Sequence, residues 1–258
     1  MRTSVGEGRS WDKPPAHAIP FFDLDTMQDF SQAMALAISM ITTLDEALLQ
    51  IVGLSLRVSL TAVAAATLIG LPLGAAVAAL KFPGRRAVAV VLNTMMGLPP
   101  VVVGLLVYLL LSRSGPFGVL GLLFTPTAMI VAQTVMIVPI IASLSRQTVE
   151  DLLFEYDDVL RVTGAGPFRR MATLLAEARW SLVTTVLAGF GRASAEVGAV
   201  MIVGGNIEHV TRVMTTAIAL ETSKGDLPMA LALGLVLMTL SLAVNLTASM
   251  LKETGARV

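Results

Sequence analysis

The sequence predicts an all-α integral membrane protein with about five transmembrane helices, and three observations carry that expectation. The 258-residue chain is 55% hydrophobic and only 14% charged, and its mean hydropathy of +0.80 lies outside the range of soluble domains. A hydrocarbon core of about 30 Å takes roughly 20 residues as helix. Residues 58–80, 87–112, 114–145 and 227–251 contain no charge, and residues 180–203 contain only Arg192 and Glu196.

Residues 1–46 are expected to be a polar leader ending in an interfacial helix. Basic residues Arg2, Arg9 and Lys13 run into Pro14 and Pro15 and then into acidic 22–25, which is unlike the apolar core of a cleavable signal. From Phe30, the recurrence of Met34, Ile38 and Ile41 suits a helix lying in the membrane surface; a sixth span there would invert the N-terminus. The membrane domain is placed at 47–251 and a short cytoplasmic tail at 252–258.

The first span begins near Leu48. Arg57, about two turns in, is read as an anchor whose guanidinium snorkels to water. Pro72 removes a backbone donor and is expected to kink this helix, which lipid tolerates only when neighbours cover the freed carbonyl. In the second span Pro99 and Pro100 sit inside the apolar run and must bend or break it. The third carries Gln133 and Pro139, the glutamine being read first as a bond to a neighbouring helix and second as a substrate contact.

After Ser145 charged residues alternate with apolar ones for about thirty positions, predicting a pair of amphipathic helices divided at Gly164-Ala-Gly-Pro167. The fourth span holds Arg192 and Glu196 four residues apart, the spacing of an intrahelical ion pair. Either the pair neutralises itself, or Arg192 meets a passing anion while Glu196 limits how tightly it is held. Gly189, Gly191, Gly198, Ala193, Ser194 and Ala195 form a small-residue surface, which assigns this span to a subunit interface and gate. Gly204-Gly205-Asn206 ends it, and 211–222 is expected to form an amphipathic helix outside, closed by Lys224-Gly225.

Positive charge sets the orientation. Lys81, Arg85 and Arg86 follow the first span, Arg146, Arg161, Arg169, Arg170 and Arg179 the third, and Lys252 and Arg257 the fifth. Short loops rich in lysine and arginine stay cytoplasmic, so the N-terminus is expected outside and the C-terminus inside.

Several chemistries are excluded at this level. The chain has no cysteine and two histidines, His17 and His209, in separate polar segments, so no metal centre is expected. The spans offer no catalytic dyad, and none of Lys13, Lys81, Lys224 and Lys252 follows a glycine, so no phosphate-binding loop is present. No enzyme activity, bound cofactor or nucleic-acid partner is expected.

Asp158-Val-Leu-Arg-Val-Thr-Gly164 resembles the cytoplasmic coupling motif of type I ABC importer permeases, Glu-Ala-Ala, three residues, then Gly. Asp158 stands for the glutamate, Val159 and Leu160 for the alanines; the usual closing Leu-Pro is Ala176-Glu177 here. Asn93 to Gly104 and Gly189 to Asn206 look like the molybdate and tungstate branch, and Thr211 to Asp226 is most similar to the tungstate-type members. The resemblance implies a homodimeric pore with two cytoplasmic ATPase subunits, which carry the ATP, and an external oxyanion-binding protein. It implies import of an oxyanion, tungstate first, then molybdate or sulfate. Asp158, Val159, Leu160, Gly164 and Ala165 would dock the ATPase; Arg192, Glu196, Ser194, Pro99 and Pro100 would form the path or gate; Asn206, Thr211 and Arg212 would meet the binding protein. The rival reading is a self-sufficient channel or secondary transporter, which also suits broken helices and a buried charge pair.

Overall fold

The computed structural model describes residues 24–255, with side chains described over 30–160 and 162–251. The leader before Leu24, with Arg2, Arg9, Lys13 and His17, and the tail residue Arg257 lie outside the described residues. All regular elements among them are helical: α1 (Leu24–Thr42), α2 (Glu46–Ala79), α3 (Arg85–Met96), α4 (Pro100–Leu111), α5 (Pro126–Val162), α6 (Pro167–Glu177), α7 (Arg179–Ser194), α8 (Gly198–Gly204), α9 (Met214–Lys224) and α10 (Leu227–Gly255).

Three of these, α2, α5 and α10, are long and apolar enough to cross a membrane, and the pairs α3–α4 and α7–α8 are apolar across a sharp bend, giving five crossings if each pair counts once. Counted so, the second and fourth spans are broken helices. α2 runs uninterrupted through Pro72, and α5 through Pro139, so neither internal proline ends its helix.

α2 and α5 form the spine. They lie parallel, Val58 packing with Met129 near their starts and Ala78 with Val149 near the other end. The reason they approach so closely is a column of small residues on α2, Ala62, Ala66, Gly70, Gly74 and Ala78, all buried at i, i+4 spacing. A Cβ on Gly74 would lie 2.3 Å from the Ala142 carbonyl oxygen, so backbone meets backbone there. In lipid, where apolar burial alone drives little association, this contact supplies the dispersion energy. Thr134 donates a hydrogen bond across the seam to the Ala62 carbonyl at 3.4 Å, and Ser145 to the Leu71 carbonyl at 3.3 Å.

α7 returns antiparallel to α5, with Gly189 against Ile137 and Ile141 and with Ala193 and Phe190 in the same cluster. Gly189 and Ala193 of the expected small-residue surface pack inside the chain, because short side chains let α5 come close; Gly191 has nothing within 4 Å of a Cβ and Ala195 is exposed. α1 is shorter than a span over its apolar part, 30–42. It packs against α10, burying Ala33 and Ala37, and leaves Ile38 exposed. Of the expected face, Ile41 packs against the same cluster and Met34 is half-buried, while Ile38 is exposed.

The predicted amphipathic pair also changes form. Its first member is not a separate helix: with no glycine or further proline between Pro139 and Gly164, α5 continues unbroken past its uncharged stretch to Val162. Its 37 residues make a rod of about 55 Å. The second member, α6, packs Leu174 against Ala75, Ala78, Val149 and Leu160, and Glu150 pairs with Arg85 at 2.7 Å and with Arg146.

Candidate functional site

The two broken helices break for different reasons. Between α3 and α4 the chain reads Gly-Leu-Pro-Pro: a residue before proline is driven out of the helical region, and prolines cannot donate back. Pro99 is extended, Pro100 occupies the first turn of α4, and the axes turn by 103°. Between α7 and α8 the bend is 60° with no proline. Here side chains replace the lost backbone ladder. Gln133 of α5 donates to the Ala193 carbonyl at 3.1 Å, Thr215 of α9 donates to the Glu196 carbonyl at 2.7 Å, and the Glu196 carboxylate accepts from the Ala199 N–H at 3.1 Å. A helix opened in the membrane is stable when its freed polar groups find such partners.

Glu196 therefore lies at the break and not within one continuous helix. It is 4% exposed, and its second carboxylate oxygen accepts from the Arg192 guanidinium at 2.7 Å. Arg192 is the open member, its side chain 36% exposed. It lines a cavity of about 210 Å³ with Met95, Met96 and Leu98 from the α3–α4 break and Met136 and Pro139 from α5. The two breaks also touch: a Cβ on Gly104 would meet the Ala199 Cα at 2.6 Å, and one on Gly198 the Val101 side chain at 2.7 Å. The arrangement is chemically simple. A permanently charged, planar donor is held by a buried carboxylate on one side and faces adaptable thioether and leucine walls on the other, where a tetrahedral anion would find charge-assisted hydrogen bonds and little competing water.

The structure thus brings Arg192, Glu196 and the Pro99–Pro100 break together. Ser194 turns elsewhere, into a cavity of about 10 Å³, the size of one water molecule, bordered by Gln133, Ser55, Ser59 and Thr215. Its hydroxyl and the Gln133 carbonyl oxygen are buried there without hydrogen-bond partners. Gln133 does what its first reading held, bonding a neighbouring helix. Sequence reasoning misses Met95, Met96, Met136 and Thr215; no local pattern marks them, since their roles come from contacts far apart in the chain.

Beyond the spans, the turn between α5 and α6 is stapled. Gly164 adopts φ +62°, the left-handed conformation that closes a helix. The Ala165 N–H reaches back to the Leu160 carbonyl at 3.2 Å. Arg170 donates to the carbonyls of Ala165 (2.8 Å) and Leu160 (3.4 Å) and lies 3.8 Å from Asp157. Of the five expected docking residues, Asp158, Val159 and Gly164 are exposed, whereas Leu160 is buried and Ala165 half-buried as supports. Phe154 (94% exposed), Val162 (89%) and Phe168 (74%) complete an apolar outer surface around them. Two phenylalanines on charged amphipathic helices are the sequence signal for this surface.

At the opposite end of the bundle, Asn206, Thr211 and Arg212 shape the turn between α8 and α9. Thr211 is 1% exposed; its hydroxyl donates to the Gly204 carbonyl at 2.6 Å and accepts from the Ile207 N–H at 2.9 Å. Asn206 donates to the Thr216 carbonyl at 3.4 Å from a left-handed backbone (φ 51°). Arg212 faces Glu208 at 3.2 Å and Glu221 at 3.8 Å. Exposed positions at this end are Ile207, Glu208, His209 and Val210. Thr211→Val is isosteric and removes both hydroxyl bonds, so it is expected to destabilise the fold by about 2 kcal/mol, read as a lowered unfolding temperature in detergent.

Comparison with known proteins bears on all three regions. The family model of the binding-protein-dependent transport system inner membrane component matches residues 70–253. The tungstate uptake system permease protein TupB of Peptoclostridium acidaminophilum is 40% identical over 227 residues, covering 88% of this chain and 100% of that one. A probable anion ABC transporter permease protein of Haloferax volcanii is 44% identical over 203 residues, 77% of this chain and 88% of its own. The sulfate transport system permease protein CysT of Escherichia coli is 27% identical over 184 residues, 69% of this chain and 66% of that one.

Proposed function

Since the chain belongs to the family of binding-protein-dependent transport system inner membrane components, we propose that it is the oxyanion-conducting subunit of an ABC importer, with tungstate as its substrate and molybdate or sulfate as the alternative cargo. The observation that carries the reading is the placement of Arg192, a partly exposed cation beside the point where two broken spans touch. Relatives named for tungstate and for sulfate support a tetrahedral oxyanion as the cargo.

In this reading two copies enclose the path, a twofold arrangement being the simplest way for a thin bundle to surround one. The exposed surface of Phe154, Asp158, Val159, Val162 and Phe168 meets an ATPase subunit on the cytoplasmic side, and Ile207 to Val210 lie toward an external binding protein. The C-terminus is cytoplasmic, in keeping with the positive loops.

The test is uptake. Vesicles containing this chain, its ATPase and its anion-binding protein should accumulate labelled tungstate only when ATP is supplied, and failure to move any of the three oxyanions would overturn the proposal. Gly164→Leu gives a sharper check on coupling. A Cβ there meets nothing within 4 Å, so the cost is backbone strain of about 1 kcal/mol and not a clash. Folded, membrane-inserted protein should remain while uptake per ATP hydrolysed falls several-fold; normal stoichiometry in this variant would remove the turn from the coupling path.

A further inference from the structure

We propose that the groove between α2 and α7 is a site for an anionic phospholipid, its headgroup on Arg179 and one acyl chain between the helices. The groove has a volume of about 560 Å³ and is walled by Leu68, Leu71 and Pro72 on one side and Leu182, Val183 and Val186 on the other. Arg179 closes one end. From Arg179 to Leu187, the last α7 residue lining it, the groove runs about 12 Å along the axis. That is most of the ~15 Å depth of one leaflet's hydrocarbon.

Charge complementarity identifies the occupant. Arg85, Arg146, Arg170, Arg192 and Arg212 each face a carboxylate. Arg179 is exposed and, like Arg57, Arg86, Arg113 and Arg169, makes no ion pair among the described residues; of these five it is the one that lines the groove. Its guanidinium lies 5.9 Å from the centroid of Trp180, and an arginine beside a tryptophan at the start of a span marks the depth of lipid headgroups. An unmatched cation there, above an apolar channel, is the arrangement in which basic pockets between spans take anionic headgroups. At the other end the Thr67 hydroxyl is buried in the groove wall without a hydrogen-bond partner.

Assignment of the lipid to the cytoplasmic leaflet rests on the orientation proposed above. Labelling of an Arg179→Cys variant from each side of the membrane tests that orientation separately, because binding in micelles does not depend on it. The site itself is tested with the full chain purified in neutral detergent. Thermal unfolding is followed against added phosphatidylglycerol, phosphatidylcholine with the same acyl chains, and inorganic phosphate. Phosphatidylglycerol should raise the unfolding temperature more than phosphatidylcholine does, and phosphate alone should not raise it. Arg179→Gln should weaken the phosphatidylglycerol response about five-fold, the equivalent of about 1 kcal/mol for one cation at a lipid surface, and leave the phosphatidylcholine response unchanged. Equal responses to the two lipids, an unaltered Arg179→Gln variant or stabilisation by phosphate alone would each overturn the site. Because the chain has no cysteine, Leu68→Cys adds a clean probe: an efficient disulfide between two copies at this position would mean that a second protomer fills the groove, which also overturns it.

Discussion

Gly74→Leu is expected to eliminate folded protein. The new Cβ would fall 2.3 Å from the Ala142 carbonyl oxygen, 2.9 Å from the Arg146 amide nitrogen and 2.9 Å from the Ser145 Cβ. Two of those three atoms are main chain and cannot rotate aside, so α2 and α5 must separate along the whole seam. Overpacking a well-packed interior typically costs about 1–3 kcal/mol. This contact exceeds the upper end, because separation also breaks the cross-seam bonds from Thr134 and Ser145. The measurement is the yield of monodisperse protein on size exclusion after detergent extraction. Gly53 lies on the same helix with nothing within 4 Å of a Cβ, and serves as the control. Gly53→Ala should extract normally and unfold at slightly higher temperature, by the ~1 kcal/mol that alanine gains over glycine in a helix. A Gly74→Leu protein as stable as the wild type would refute the seam as the spine of the fold.

The second large effect concerns Arg192 and Glu196. Arg192→Gln alone leaves a carboxylate 3% exposed at its side chain, with the Ala199 N–H as its remaining strong donor. Removing one member of a fully buried pair costs about 3–5 kcal/mol; the partial exposure of Arg192 brings the expectation to the lower edge. Replacing both residues, Arg192→Gln with Glu196→Gln, removes the stranded charge while the glutamine carbonyl can still accept from Ala199. The double variant should therefore regain most of the lost stability. Uptake should not recover with it: one charge-assisted hydrogen bond to the anion is worth about 1.5–3 kcal/mol, a fall in uptake of roughly 10- to 100-fold. Wild-type uptake by the stable double variant would assign the pair to structure alone.

How much of this was legible in the chain depends on the range of the interactions. Four of the five candidate crossings follow from runs without charge and the remaining one from a run holding only Arg192 and Glu196, and the α3–α4 break follows from Pro99 and Pro100, because proline acts on its own backbone. The α7–α8 break left no such mark. Ala195, Glu196 and Val197 are compatible with a helix, and the bend is stabilised by Gln133 and Thr215, which reach it from other helices. The ion pair could be read from its spacing, but its position at the rim of a methionine-lined cavity could not. The small-residue column on α2 was present at i, i+4 spacing, yet hydropathy gives glycine and alanine little weight, and attention goes instead to the glycines around Arg192. Thr211 and Arg212, which the resemblance assigns to the binding protein, are taken up in satisfying the turn itself, through partners that their local sequence does not mark.

The unbroken length of α5 has a mechanical corollary. Gln133, which holds the kinked span by the Ala193 carbonyl, and Val162, the last residue of α5, are 29 positions apart on one helix, a distance of about 44 Å. A tilt of only about 5° about either end would sweep the other by ~4 Å, more than the reach of a hydrogen bond. Pro139 lies between the two without ending the helix, so a displacement at the tip would be carried along one continuous element toward the Gln133 amide and the carbonyl it holds.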